Sequence, residues 1–158
     1  MNLTIRPAQQ TDVENIVKLI QSLSLLDNGR TSPLSTDVFI RDSFGDTPAF
    51  CTMLAEENGL LAGYAFYYWG YDTHTATRGV YLVDLYVVEN HRRCGVGTRL
   101  MNAVSRATRE SGGRWIFWSV LKRNKAARSF YRQLATELED VLVCAAVDGD
   151  FDRLAGAQ

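Results

Sequence analysis

The chain is poor in the features that mark several protein classes. Only three prolines occur in 158 residues, and neither a low-complexity tract nor an internal repeat is present, so linker-rich and repeat architectures are excluded. Cys51, Cys94 and Cys144 are odd in number and lack metal-ligand spacing. That argues against a disulfide framework and a cysteine-held metal, and the expectation is a reduced, cytoplasmic protein with no metal. No apolar run reaches the roughly 18 residues of a membrane span, and the first residues, MNLTIRPAQQ, lack a signal-peptide core. The net charge is −1, so nothing draws the chain as a whole to nucleic acid or a membrane.

What is present suits one folded domain, residues 1–158. Hydrophobic residues make up 46% and charged residues 22%, enough apolar surface for a core at this length. Leu3–Arg6 reads as a short strand stopped by Pro7. Thr11-x-x-Glu14 forms a capping box, followed by Val13, Ile16, Val17, Ile20 and Leu23 at helical spacing. Residues 24–34, with Asn28-Gly29 and Ser32-Pro33, read as a loop, and Ser35 caps a second helix to about Ser43. Phe50–Glu56 and Leu60–Trp69 form a hairpin around Glu57-Asn58-Gly59, and Gly70–Gly79 reads as a polar loop. Then come a strand over Val80–Val88, a helix to about Ser111, a strand over Arg114–Leu121 and a helix from Asn124 to about Leu134. Residues 137–147 read as a last strand, centred on Val141-Leu142-Val143, with a turn at 148–150 and a helical turn over 151–155. The order β-α-α-β-β-β-α-β-α-β implies an α/β fold with a mixed sheet, parallel between the strands at 80–88 and 114–121.

The stretch from Val80 to Leu100 organises the rest. A buried strand leads into Arg92-Arg93-Cys94-Gly95-Val96-Gly97-Thr98, and Leu100, Met101, Val104 and Ala107 then recur at helical spacing. Glycines at a helix start allow close approach to the backbone. The first-turn N–H groups lie at the positive end of the helix dipole, so a pyrophosphate suits this loop. A P-loop would need Gly-Lys-Ser/Thr, and a dinucleotide fingerprint would need a third glycine where Leu100 stands. The pattern that remains is Arg92-x-x-Gly95-x-Gly97.

That pattern resembles the pyrophosphate loop of the GNAT N-acetyltransferase superfamily. The text LVDLYV, RRCGVG and WSVLKRNKAARSFYRQL is similar to its diamine and thialysine (spermidine/spermine-type) acetyltransferase branch. The resemblance covers nearly all of the chain and is sharpest from Gly63 to Leu134. It implies the acyltransferase fold, with two parallel strands splayed apart around acetyl-CoA as cosubstrate, and a homodimer. By the same resemblance, the backbone of Leu85, Tyr86 and Val87 holds the pantetheine arm. Arg92, Arg93, Cys94, Gly95, Val96, Gly97 and Thr98 hold the pyrophosphate. Asn124, Ala126 and Ala127, at the head of the following helix, hold the far side of the thioester arm, with Tyr131 beside it.

Tyr131 matches the position of the family's general acid, and thiolate departure calls for such a group. A plain alternative is that Phe130-Tyr131 only packs a helix. Asp84 is the lone carboxylate in its strand and suits either contact with a cationic amine or a structural pairing, for instance with Arg78. Strict alternation puts Leu82, Asp84 and Tyr86 on one face and Val83 and Leu85 on the other. The branch carries Glu where this chain has Val83, and Gly where it has Ala135. Val83 therefore leaves the general base open among Glu56, Glu57, Asp72 and His74. Cys94 permits a covalent acetyl-cysteine route, with a tolerated loop position as the plainer reading. His91 receives no role.

The expected reaction is acetyl transfer from acetyl-CoA to the primary amine of a small molecule, by direct attack in a ternary complex. A diamine, a polyamine, a lysine analogue or another amino compound would serve as acceptor. Acetylation of a protein N-terminus or lysine is the second reading, and a CoA-binding module without catalysis is the third.

Overall fold

The computed structural model describes residues 2–156, which divide into one compact unit through Trp118 and another from Ser119 onward. The first unit holds β1 (Leu3–Pro7), α1 (Val13–Asn28), α2 (Thr36–Phe44), β2 (Cys51–Glu57), β3 (Leu60–Asp72), β4 (Thr77–Val87), α3 (Val96–Glu110) and β5 (Gly113–Trp118). The five strands lie in sequence order in one sheet, antiparallel from β1 to β4 and parallel between β4 and β5. The mixed sheet flanked by helices is the fold class expected. Among the described residues, no helix is long and apolar enough to cross a membrane.

One sheet face is covered by α1 and α2. Val13, Ile16, Val17 and Ile20 of α1 and Phe39 of α2 close on Leu54, Tyr64 and Tyr86. Phe50 and Phe66 stack with centroids 4.0 Å apart, and Phe39 meets Phe50 edge-on at 5.0 Å. Helix α3 packs against all five strands through Val96, Leu100, Met101, Val104 and Thr108. A Cβ on Gly113 would come within 2.5 Å of the Thr108 side chain, so this glycine sets how closely β5 approaches α3.

Several boundaries differ from expectation for identifiable reasons. Helix α1 runs through the start of the expected loop, to Asn28, and ends when Gly29 adopts φ +65° and donates to Leu25 O at 3.0 Å. The glycine marks the true helix end, one turn beyond the last residue of the apolar stripe. The cap at its head is also displaced: Gln9 N donates to Asp12 Oδ2 at 2.7 Å, in place of the Thr11–Glu14 box. Helix α2 begins as read, with Ser35 accepting from Val38 N. The Gly70–Gly79 segment is mostly hairpin. Strand β3 extends to Asp72 and β4 starts at Thr77, because Gly70, Tyr71 and Asp72 continue the ladder opposite Gly79, Arg78 and Thr77. Strand β4 is half-buried instead of fully buried, since Tyr81 and Val83 face solvent.

The second unit contains α4 (Lys125–Tyr131) and α5 (Gly149–Leu154). Residues 137–147 do not form the expected strand. Among the described residues of this unit there is no strand to complete a ladder, and Val141, Leu142 and Val143 are exposed. Glu137 instead pairs with Arg128 and with Arg132 Nε, the latter at 2.7 Å. Both arginines hold its carboxyl below the usual range, the Arg128 hydrogen bond most strongly.

Arg6 ties the sheet edge to the head of α1. Its guanidinium donates to both Asp12 oxygens at 2.7 and 2.9 Å and to Glu56 Oε2 at 2.6 Å. The Arg6 hydrogen bonds hold the Asp12 carboxyl below its ordinary value. A depressed carboxyl stabilises the fold above its unfolded pKa, near ~3.9, and that contribution is lost as pH falls through the lower folded value. Arg6→Met is expected to cost about 2 kcal/mol at pH 7, the scale of hydrogen bonds to charged groups. Urea unfolding should show the deficit shrinking toward pH 3, and an equal deficit at both pH values would count against this pair.

Candidate active site

The ladder between β4 and β5 runs from Arg78↔Gly113 to Leu82↔Trp118 and stops where β5 ends, while β4 continues to Val87. The β5-side edge of Val83–Val87 is therefore open within this sheet. Val88 N donates to Ala62 O at 2.9 Å, which orients the backbone of residue 88 toward β3. Alternation then turns Tyr86 and Asp84 toward β3 as well, and leaves Leu85 and Val87 on the open edge. Gly63 agrees with this: a Cβ there would meet Tyr86 O at 2.4 Å. Tyr86 thus gives its backbone to the sheet and its ring to the core, where it lies 5.8 Å from Tyr64.

The register contains an irregularity that alternation could not foresee. Phe66 pairs with Asp84 but Tyr67 pairs with Leu82, so Val83 is the extra residue of a β-bulge. Phe66 and Tyr67 point to opposite faces, and their partners follow. Leu82 and Asp84 therefore lie on opposite faces, which corrects the reading that they share one. Asp84 sits on the α1/α2 side beside Phe66, is only partly buried, and is engaged in an interaction of its own. The expectation that Asp84 and Val83 must point oppositely falls with the alternation it rested on.

Beyond Val87, a 3₁₀ turn over Glu89–His91 leads to the basic loop. Arg92 Nε donates to Val87 O at 2.9 Å, leaving both Nη groups outside that bond. Arg93 has φ +61° and Gly95 has φ +79°, and Gly95 is the N-cap of α3. Left-handed residues alternating with others at a helix start turn backbone N–H groups into a concave, anion-accepting surface. Arg99 N donates to Gly95 O at 3.0 Å, so the N–H groups of Val96, Gly97 and Thr98 precede the first intrahelical bond. Arg92, Arg93, Cys94 and Gly95 are exposed, and Gly97 and Thr98 are half-buried. Cys94 Sγ is directed at Arg92 O, 3.4 Å away. The residues fit a pyrophosphate by chemistry as well as by shape: two guanidinium groups, open N–H groups and no carboxylate between Arg92 and Thr98.

In the second unit, Asn124 caps α4 by accepting from Ala127 N at 3.1 Å. Ala126 lies in the first turn, and Tyr131 is the last residue of the helix, two turns after the cap. The Tyr131 ring is 5.2 Å from that of Phe130, and Tyr131 is half-buried and takes part in a further interaction. The expected residues thus form two groups: the β4 edge with the basic loop in one unit, and the α4 set in the other.

Sequence reasoning missed His91. Its Nε2 lies 3.0 Å from Glu57 Oε2, at the far end of β2. Only the three-dimensional pairing joins residues so far apart in the chain, and no sequence signal marks it. The aromatic-rich β3 contributes to an aromatic shelf on the sheet whose β4 and β5 members only the pairing brings together. Tyr68 stacks on Tyr81 at 5.5 Å, and Tyr81 meets Trp115 and Phe117 at 5.5 and 5.9 Å. Gly79 makes room for it, since a Cβ there would lie 2.0 Å from the Trp115 ring. Among the described residues, no group of three His, Cys, Asp or Glu side chains is placed to hold a metal.

Comparison with known proteins agrees with this geometry. Residues 17–135 match the model of the acetyltransferase (GNAT) family, whose members use acetyl-CoA as cosubstrate. The chain is 30% identical over 142 residues to the mouse (Mus musculus) thialysine N-epsilon-acetyltransferase, covering 84% of this chain and 83% of that protein. It is also 30% identical over 135 residues to the human (Homo sapiens) spermidine/spermine N(1)-acetyltransferase-like protein 1, covering 80% of this chain but 19% of that longer protein. An integron cassette protein from the mobile metagenome of V. cholerae superposes with a TM-score of 0.82 at 17% identity, over 98% of both chains, and shares the fold. The chain belongs to the GNAT acetyltransferase family and is an N-acetyltransferase.

Proposed function

We propose that the protein transfers the acetyl group of acetyl-CoA to a primary amine of a small molecule, a diamine, polyamine, lysine analogue or related amino compound, by direct attack in a ternary complex. The observation that carries this reading is the Arg92–Thr98 loop at the head of α3, next to the open β4 edge. The loop would hold the pyrophosphate, and the backbone of Leu85 and Val87 would accept the pantetheine arm as an added strand. Acetyl-CoA supplies an activated thioester. In the transfer, a C–N bond forms as the C–S bond breaks. The amine loses a proton to solvent water, Tyr131 gives its phenolic proton to the departing sulfur, and the phenolate regains a proton from solvent after the thiol leaves. Names of relatives that act on thialysine or spermidine/spermine favour a flexible cationic amine as acceptor.

Thiol release from acetyl-CoA across a panel of diamines, lysine analogues and protein-derived peptides tests the reading. Turnover confined to peptides, or absent with every amine, would overturn it. In the same assay Asp84→Asn is expected to raise the acceptor KM and leave CoA affinity alone. A fall in melting temperature with unchanged kinetics would make Asp84 structural.

The active species on this reading is a homodimer. Tyr68, Tyr81 and Phe117 are 41, 42 and 42% exposed on one sheet face, and Val141, Leu142 and Val143 are exposed in the second unit. Each is exposed apolar surface within its own unit, and large apolar patches are uncommon on monomers. Light scattering at micromolar concentration should give the mass of two chains; one chain's mass would refute the dimer. The three cysteines are free, which supports a cytoplasmic, reducing setting.

A further inference from the structure

We propose that His91 and Glu57 form a positioning pair that preorganises the basic loop for the pyrophosphate of CoA; this rests on the reading of that loop given above. The chain between β4 and α3 is weakly held. Glu89, Asn90 and Arg92–Gly95 are all exposed. Past Val88, whose N–H donates to Ala62 O, its backbone bonds are local: His91 N to Val88 O at 2.9 Å and Arg92 N to Glu89 O at 3.1 Å. The Arg92 side chain also bonds locally, to Val87 O. His91 is different. It is half-buried and reaches across the fold to the Glu57 carboxylate at 3.0 Å, with side-chain exposures of 28 and 16%.

Glu57 is a firm anchor. It ends β2, pairs with Leu3 on one side and Leu60 on the other, and precedes the hairpin turn at Asn58-Gly59, where both residues are left-handed. The contact also fixes the imidazole. A carboxylate only accepts, so Nε2 carries the proton, while Nδ1 is buried with no hydrogen-bond partner among the described residues. The ring therefore has one polar contact, and it goes to the hairpin. His91 immediately precedes Arg92, so the same contact sets where the loop starts relative to the sheet. A loop held in its binding shape before the ligand arrives loses less conformational freedom on binding, and affinity rises accordingly.

The test is calorimetry with CoA, beside melting temperature, on the full chain. His91→Ala is expected to weaken CoA binding roughly tenfold, the scale of one charge-assisted hydrogen bond lost from the binding-competent state. His91→Gln, which restores an N–H donor on a side chain of similar reach, should recover most of that affinity. Glu57→Gln keeps an acceptor and should lose only a few-fold. With an active acceptor, the loss in His91→Ala should appear in the KM for acetyl-CoA and not in kcat. If His91→Ala unfolds, the Gln variants carry the test, and affinity falling no more in Glu57→Gln than its melting temperature explains would count against positioning. Wild-type CoA affinity in His91→Ala, with Gly97→Asp impaired, would overturn the positioning role and leave the loop assignment standing. Wild-type affinity in both would overturn the loop assignment and this proposal with it.

Discussion

Tyr131→Phe is expected to lower kcat by roughly 10²–10⁴-fold, the usual worth of a general acid, with CoA affinity unchanged. The substitution removes one hydroxyl and keeps the ring that lies 5.2 Å from Phe130, so the packing at the end of α4 is preserved. The helix itself starts from an intact cap, Asn124 Oδ1 on Ala127 N. Attack of an amine on a thioester expels a thiolate, and without a proton donor that departure must draw on water. The measurement is single-turnover kinetics at saturating acetyl-CoA, so that chemistry and not product release is read. Unchanged turnover would remove Tyr131 from the mechanism and return the aromatic pair to a packing role. The same experiment addresses a CoA-binding module without chemistry, for which wild type and variant would be equally inert.

The parts of this protein legible from sequence are those set by local chemistry. Gly59 with Asn58, Ser35 ahead of Val38 and Asn124 ahead of Ala127 each mark an element boundary through a backbone or capping preference of the residue itself. The basic loop was legible for the same reason, because glycine spacing and two arginines are enough to describe an anion site. Pairing was not. Whether Gly70–Asp72 belongs to a loop or a strand depends on what lies opposite, and Arg78–Gly79 supplies the answer only in the folded sheet. The Val141–Val143 run has strand-forming side chains, yet strand propensity without a partner ladder leaves it irregular. The bulge at Val83 is the most consequential case. It inserts one residue between Leu82 and Asp84 and reverses a face assignment that sequence alternation makes look certain. His91 carries no signal of its own in the sequence, because Glu57 lies 34 residues away and only the folded sheet brings the two together.

Gly97→Asp is expected to weaken CoA binding on the order of 10²-fold, since like charges brought together cost several kcal/mol. Position 97 is the second residue of α3, following the left-handed Gly95 cap. Its N–H lies in the first turn, among the groups read as holding phosphate oxygens. An aspartate there has an opposite effect on the fold. A carboxylate in the first helical turn interacts favourably with the macrodipole, and glycine is a poor helix former, so the melting temperature should hold or rise. Stability and affinity therefore move apart, which a general loss of structure could not produce. Gly97→Asn separates charge from bulk: it adds nearly the same volume without the negative charge, and should retain clearly more affinity than the aspartate. Equal losses in the two variants would mean that space, not charge, limits binding at this position. Wild-type affinity in Gly97→Asp, with the melting temperature intact, would show that phosphate does not sit on this turn. In that event the Arg92–Thr98 loop would be a structural connection between β4 and α3.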